Sequence, residues 1–177
     1  MAGYNEIWIK TGYEFFALSG LSGLKVEPIA KKVGKSKSSF YHFFADLDLF
    51  VEVLLKYHIE QSYIVAKKEL NAKNINPELI DILVEHKTDL LFNRQLRINR
   101  ERKIFTDVLI KSNEIVGKDF VMLWIRDLNL KLPQKQLESI FELALENFYL
   151  QITPENLNKK WLLDYFSYLQ KIIRNFN

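Results

Sequence analysis

Eleven residues, Gly34 to Phe44 (GKSKSSFYHFF), gather cations, hydroxyls, an imidazole and a phenol with no acid among them. Lys35 and Lys37 attract phosphates, and Ser38, Ser39 and His42 offer donors and acceptors to the base edges of a DNA major groove. Between Lys25 and Phe44 there are five lysines and one glutamate, a local charge of +4 in a chain whose formal total is +3. Basic charge is concentrated where these groups lie.

Two short helices are needed to present them. Val26, Ile29, Ala30 and Val33 recur at the i, i+3, i+4, i+7 spacing of one apolar helical face. Pro28 fits only near that helix's start, where its missing N–H is one of the donors left unpaired anyway. Gly34 supplies the left-handed position that ends the helix. Ser36 then caps a second helix, its hydroxyl accepting from the N–H of Ser38 or Ser39. Small Ala30 lets the helices approach, and Phe40, Phe43 and Phe44 face inward to anchor the second on the first. This is a helix-turn-helix suited to a major groove. The alternative is an ordinary helical hairpin with a solvated lysine face, which does not account for the joint placement of Ala30, Gly34, Phe40 and Phe43.

With these residues in place, Trp8 to Phe50 resembles the DNA-binding domain of the tetracycline-repressor-like (TetR) family of bacterial transcription regulators. Phe16 and Gly20 match the end of the family's first helix, Ile29-Ala30 and Gly34 its I-A-x-x-x-G core, Tyr41 to Phe44 its Y-x-x-F, and Phe50 stands at its usual Leu. Three positions depart from the pattern: Lys25 replaces a frequent Ser or Thr, Lys35 a usual Val, and Leu47 a Lys that typically touches phosphate. Lys25, Lys35 or Lys37 compensates for that missing contact. The resemblance implies a DNA-contacting set of Lys25, Lys35, Ser36, Lys37, Ser38, Ser39, Tyr41 and His42, with Tyr41 on phosphate. Beyond residue 50 it holds only by architecture.

The rest of the chain has helical period and lacks the strict alternation of strands, so the expected fold is all-α with about nine helices. A first helix spans Asn5 to Ser19, with Ile7, Ile9, Tyr13, Phe16 and Ala17 available for burial, and ends at Gly20. Asp46 caps a long fourth helix, about 47–70, that bridges a head (1–50) and a larger body (51–177); acids such as Asp46 and Asp48 favour a helix's first turn. In the body, Pro77 opens a helix running to Leu91, another carries Ile104 to Leu109, a third spans Ile115 to Leu130, and Pro133 starts the next. Thr153-Pro154-Glu155 precedes the last, which is unusually apolar.

That apolar excess is either a deep core or a subunit interface. The interface is favoured, formed by Leu137, Ile140, Phe141, Trp161, Tyr165, Phe166, Leu169 and Ile173. The resemblance implies a homodimer that pairs its last two helices. A dimer also sets two recognition helices about 34 Å apart, which matches a palindromic operator. An aromatic share of 14% reflects dense packing or an apolar cavity. Phe92, Phe105, Leu109, Trp124 and Phe148 are the wall candidates for an apolar or aromatic small-molecule effector. In the basic stretch Arg94 to Lys103 the favoured reading is a solvated helix face, the alternatives being counter-charge to an anionic effector or a surface meeting acidic groups of the head.

Nothing nominates a catalytic residue, a metal site or a cofactor. There is no cysteine, no HExxH pair among the three histidines and no phosphate-cradling glycine loop. Glu85, His86 and Asp89 read as surface polar residues. The absence of cysteine and of a signal-like or membrane-length apolar run points to a soluble cytoplasmic protein. The expected function is a DNA-binding transcriptional regulator, a repressor released from its operator by an effector. The alternative is an all-α interaction or small-molecule carrier protein without sequence-specific DNA binding.

Overall fold

Every element among the described residues is a helix or a helical turn. The computed structural model describes residues 2–128 and 133–174, apart from the side chains of Ala2 to Tyr4, Lys118, Asp119, Val121, Trp124, Leu128, Gln134, Ile173 and Arg174. Among these residues no strand occurs. The elements are α1 (Ala2–Gly23), α2 (Val26–Val33), α3 (Lys37–Phe43), α4 (Leu47–Asn71), a π-type turn (Ile75–Leu79), α5 (Ile80–Glu85), α6 (Lys87–Ile98), α7 (Lys103–Leu128), α8 (Gln134–Gln151) and α9 (Lys159–Arg174). No helix among them is long and apolar enough to cross a membrane.

These elements form two compact units, one of Met1–Ser62 with Thr88–Ser112 and the other of Tyr63–Lys87 with Asn113–Asn177. The first unit is built on aromatics. Trp8, Phe16, Phe40, Phe50, Phe92 and Phe105 are all fully buried, and each contributes roughly 1.5–3 kcal/mol by leaving water. Phe40 sits at the centre of the head. Its ring meets Trp8 edge-on at 5.5 Å and Phe50 at 5.1 Å, and Phe44 packs on Phe50 at 4.6 Å. Gly12 permits this closeness of α1 and α4, because a Cβ there would stand 2.3 Å from the Phe50 ring.

The helices differ from the sequence expectation in four places. Ile7 is 48% exposed and Trp8 is buried, while Tyr13, Phe16 and Ala17 take the buried positions expected on α1. The helix expected from Pro77 to Leu91 is broken at His86 (φ −96°, ψ 27°), which separates α5 from α6. Conversely, the two helices expected over Ile104–Leu109 and Ile115–Leu130 are one helix, α7, since no proline interrupts the segment; Asn129 and Leu130 lie outside the described residues. Thr153 forms a turn, its Oγ1 accepting from the N–H groups of Glu155 and Asn156. The last helix starts later, where Asn158 Oδ1 accepts from Trp161 N–H at 3.1 Å.

Candidate nucleic-acid interface

The elbow between α2 and α3 follows from local chemistry. Ile29, Ala30 and Val33 are the buried face of α2. Gly34 adopts φ 71°, ψ 33° and donates to the Lys31 carbonyl at 3.2 Å, while Lys35 N–H reaches the Ala30 carbonyl at 3.0 Å. This pair of bonds is a Schellman closure, and it aims the chain directly into α3. Ser36 is extended, and its hydroxyl accepts from Ser39 N–H at 3.2 Å. At the other end of α2, Lys25 stands at the N-cap with no side-chain hydrogen bond, as expected where lysine replaces a hydroxyl residue.

Lys25, Lys35, Ser36, Lys37, Ser38, Tyr41 and His42 are exposed and Ser39 is half-buried. Phe40 and Phe44 are buried, whereas Phe43 is only half-buried. The segment therefore divides with Phe40 and Phe44 inward and most of the polar groups outward, Phe43 lying between. Asp46 caps α4, its Oδ1 accepting from Leu49 N–H at 2.8 Å. Leu47, at the first position of α4, is half-buried.

One contact was not legible in the sequence. Lys37 Nζ donates to Glu27 Oε2 at 2.8 Å, joining the first turn of α2 to the first turn of α3. The hydrogen bond to Lys37 holds the Glu27 carboxyl below its ordinary range, and Glu27 holds the Lys37 ammonium above its own.

Behind the head lies a second group that no local spacing announces. The Tyr13 hydroxyl donates to Asp89 Oδ1 at 2.7 Å and lies 2.7 Å from His58 Nδ1. A hydroxyl has one proton; with it directed at Asp89, His58 must donate from Nδ1, which leaves Nε2 as an acceptor. That Nε2 is buried with no hydrogen-bond partner among the described residues. Phe92 stacks on both Tyr13 (4.3 Å) and His58 (4.6 Å). Burial pushes His58 from 6.5 down to about 4, with the Asp89 charge opposing. Asp89 and the buried His86 are thus not the surface residues expected; of that trio only Glu85 is exposed, paired with Lys68 at 2.6 Å. Among the described residues no three His, Cys, Asp or Glu side chains are grouped to hold a metal ion.

The expected effector-wall residues are divided between the units. Phe92 and Phe105 pack on Phe16 at 4.5 and 5.9 Å and, with Leu109, belong to the first unit. Phe148 belongs to the second, against Trp161 (5.9 Å) and Tyr165 (5.4 Å). The side chain of Trp124 lies outside the described residues.

Of the expected interface, Leu137, Ile140, Phe141, Trp161 and Leu169 are half-buried, Tyr165 and Phe166 are buried within the chain, and Ile173 lies outside the described side chains. Tyr165 donates to the Ala144 carbonyl at 2.9 Å, tying α9 to α8, and its burial raises the phenol to about 12. Among the described side chains of α8 and α9, the large apolar ones left exposed are Leu143 (72%), Leu150 (78%), Tyr168 (66%) and Ile172 (37%). The seven-residue spacing of Leu143 and Leu150 is the sequence signal for this face. The basic stretch Arg94–Lys103 covers the end of α6, the turn after it and the start of α7; Lys103 pairs with Asp107 at 3.0 Å, and Arg102 lies over the Phe105 ring at 5.6 Å.

Neither a family model nor a curated protein matches the sequence. The fold is similar to that of a transcriptional regulator from Rhodococcus sp. Rha1, with a TM-score of 0.62 at 14% identity over 95% of this chain and 94% of that one. It is also similar to a TetR-family transcriptional regulator from Rhodococcus sp., with a TM-score of 0.53 at 16% identity over 96% of this chain and all of the other. The chain has a TetR-like fold. The likeness extends well past Trp8–Phe50, into helices whose sequence carries no family motif.

Proposed function

We propose that the protein is a DNA-binding transcriptional regulator whose recognition helix is α3. The observation that carries this is the capped elbow at Gly34–Ser36 presenting Lys35, Lys37, Ser38, Tyr41 and His42 outward from a rigid aromatic core. In this reading Lys25, Lys35 and Tyr41 meet phosphate, while Lys37, Ser38, Ser39 and His42 face base edges. Two copies related by a two-fold axis place two such helices on a palindromic operator in the cytoplasm. The exposed apolar side chains Leu143, Leu150, Tyr168 and Ile172 support the homodimer. An apolar or aromatic small molecule is the proposed effector, supported by the aromatic side chains of α7 to α9. It acts through α4, which contributes residues to both units, and so changes the separation of the two heads. Released by that molecule, the protein acts as a repressor.

The direct test is fluorescence anisotropy with duplex DNA across a salt series. The protein is expected to bind with affinity that falls as salt rises, and Lys37→Ala to bind more weakly with a shallower log–log slope, as loss of a cationic contact requires. Equal affinity and slope in the two proteins would remove α3 as the recognition helix.

A further inference from the structure

The segment Lys25–Phe44 holds a single acid, Glu27, and α3 holds a single lysine, Lys37. The structure joins these two residues at 2.8 Å, although both are exposed and Lys25, Lys31, Lys32 and Lys35 are also near in sequence. The position is not neutral ground for a carboxylate. It lies in the first turn of α2, joined to the first turn of the proposed recognition helix.

We infer that Glu27 is a charge brake on the recognition helix: by holding Lys37 it makes the amino-terminal end of α3 a charge-neutral unit and cancels that end's attraction for DNA of arbitrary sequence. This rests on the DNA-binding reading above. Attraction without sequence preference comes from cations that neutralise phosphates and release condensed counterions. A lysine whose approach also brings a carboxylate to the backbone releases no net counterion. What the pair keeps is its geometry, a donor and an acceptor that fit base edges only where the sequence supplies their complements. Glu27 thus lowers the sequence-independent background and leaves base reading intact.

The experiment uses the full chain and a random-sequence duplex of thirty base pairs or so, with affinity measured from low to moderate salt for the unmodified protein, Glu27→Gln, Lys37→Ala and the double variant. For each head engaged, Glu27→Gln is expected to steepen the log–log salt slope by about 0.9, which corresponds to binding about eightfold tighter at 0.1 M salt if the proteins bind equally at 1 M. Lys37→Ala is expected to make the slope shallower, and the double variant to return to the unmodified slope. Both side chains are exposed, so matched melting curves check that the fold is unchanged. If Glu27→Gln leaves the slope unaltered and the double variant behaves as Lys37→Ala does, the carboxylate does not face the DNA and the inference is wrong. If the unmodified protein shows no salt-dependent binding, the DNA-binding reading itself fails and the inference falls with it.

Discussion

Acid should destabilise this protein through the buried imidazole of His58. His58 is wholly enclosed, stacked on Phe92 and bonded to Tyr13, and burial pushes it from 6.5 down to about 4. Above pH 6.5 the ring is neutral in both folded and unfolded chains, and its environment carries no penalty. As pH falls below 6.5 the unfolded chain takes up a proton that the folded chain refuses, so stability declines until about pH 4 and then levels. The drop from 6.5 to about 4 corresponds to about 3 kcal/mol in all, of which about 2 kcal/mol is lost by pH 5. That interval matters because ordinary carboxylates have hardly begun to protonate there. Urea unfolding at pH 7.5 and pH 5 would measure it, with His58→Gln as the comparison, since glutamine cannot titrate but can still bond Tyr13. Each protein is compared with its own value at pH 7.5, which removes any cost of the substitution itself. The unmodified protein should lose about 2 kcal/mol more than the variant. Equal losses would refute the account of His58 as a neutral group sealed behind the head.

Three further outcomes are expected. Tyr13→Phe removes the hydroxyl that serves both Asp89 and His58, and should lower stability by about 1–3 kcal/mol in urea unfolding at pH 7.5. Gly12→Ala places a methyl 2.3 Å from the buried Phe50 ring; overpacking of this kind costs about 1–3 kcal/mol, or several degrees in Tm by calorimetry. Leu143→Glu with Leu150→Glu should give monomers by light scattering with helical content retained, whereas Phe166→Glu, which puts a carboxylate among buried rings, should lower Tm instead; a double variant that stays dimeric would move the interface elsewhere.

The head was legible because its determinants are local. Gly34 ends α2, Ser36 caps α3, and the ring spacing of Phe40 and Phe44 sets the buried side, all within a dozen residues. Leu47 showed its departure in the same way. The Tyr13–His58–Asp89 group was not legible, since its members lie 45 and 76 positions from Tyr13 and meet only when α1, α4 and α6 pack. Glu27–Lys37 spans ten positions and two helices, and depends on the angle that Gly34 imposes. The aromatic residues of the body are divided between the units for a related reason. Composition counts Phe92, Phe105 and Phe148 alike, but Phe92 and Phe105 complete the core behind the head while Phe148 joins Trp161 and Tyr165 in the other unit. Likewise an apolar last helix does not reveal which residues its own neighbour buries. Tyr165 and Phe166 go to α8 and the chain's interior, and Leu143, Leu150 and Tyr168 are left outside.

Selection of bound sequences from a random duplex library, carried out with the unmodified chain, tests most directly whether α3 reads DNA. The account predicts enrichment of an inverted repeat whose half-sites lie about 34 Å apart, or a multiple of that spacing. A bound pool indistinguishable from the input library would contradict it.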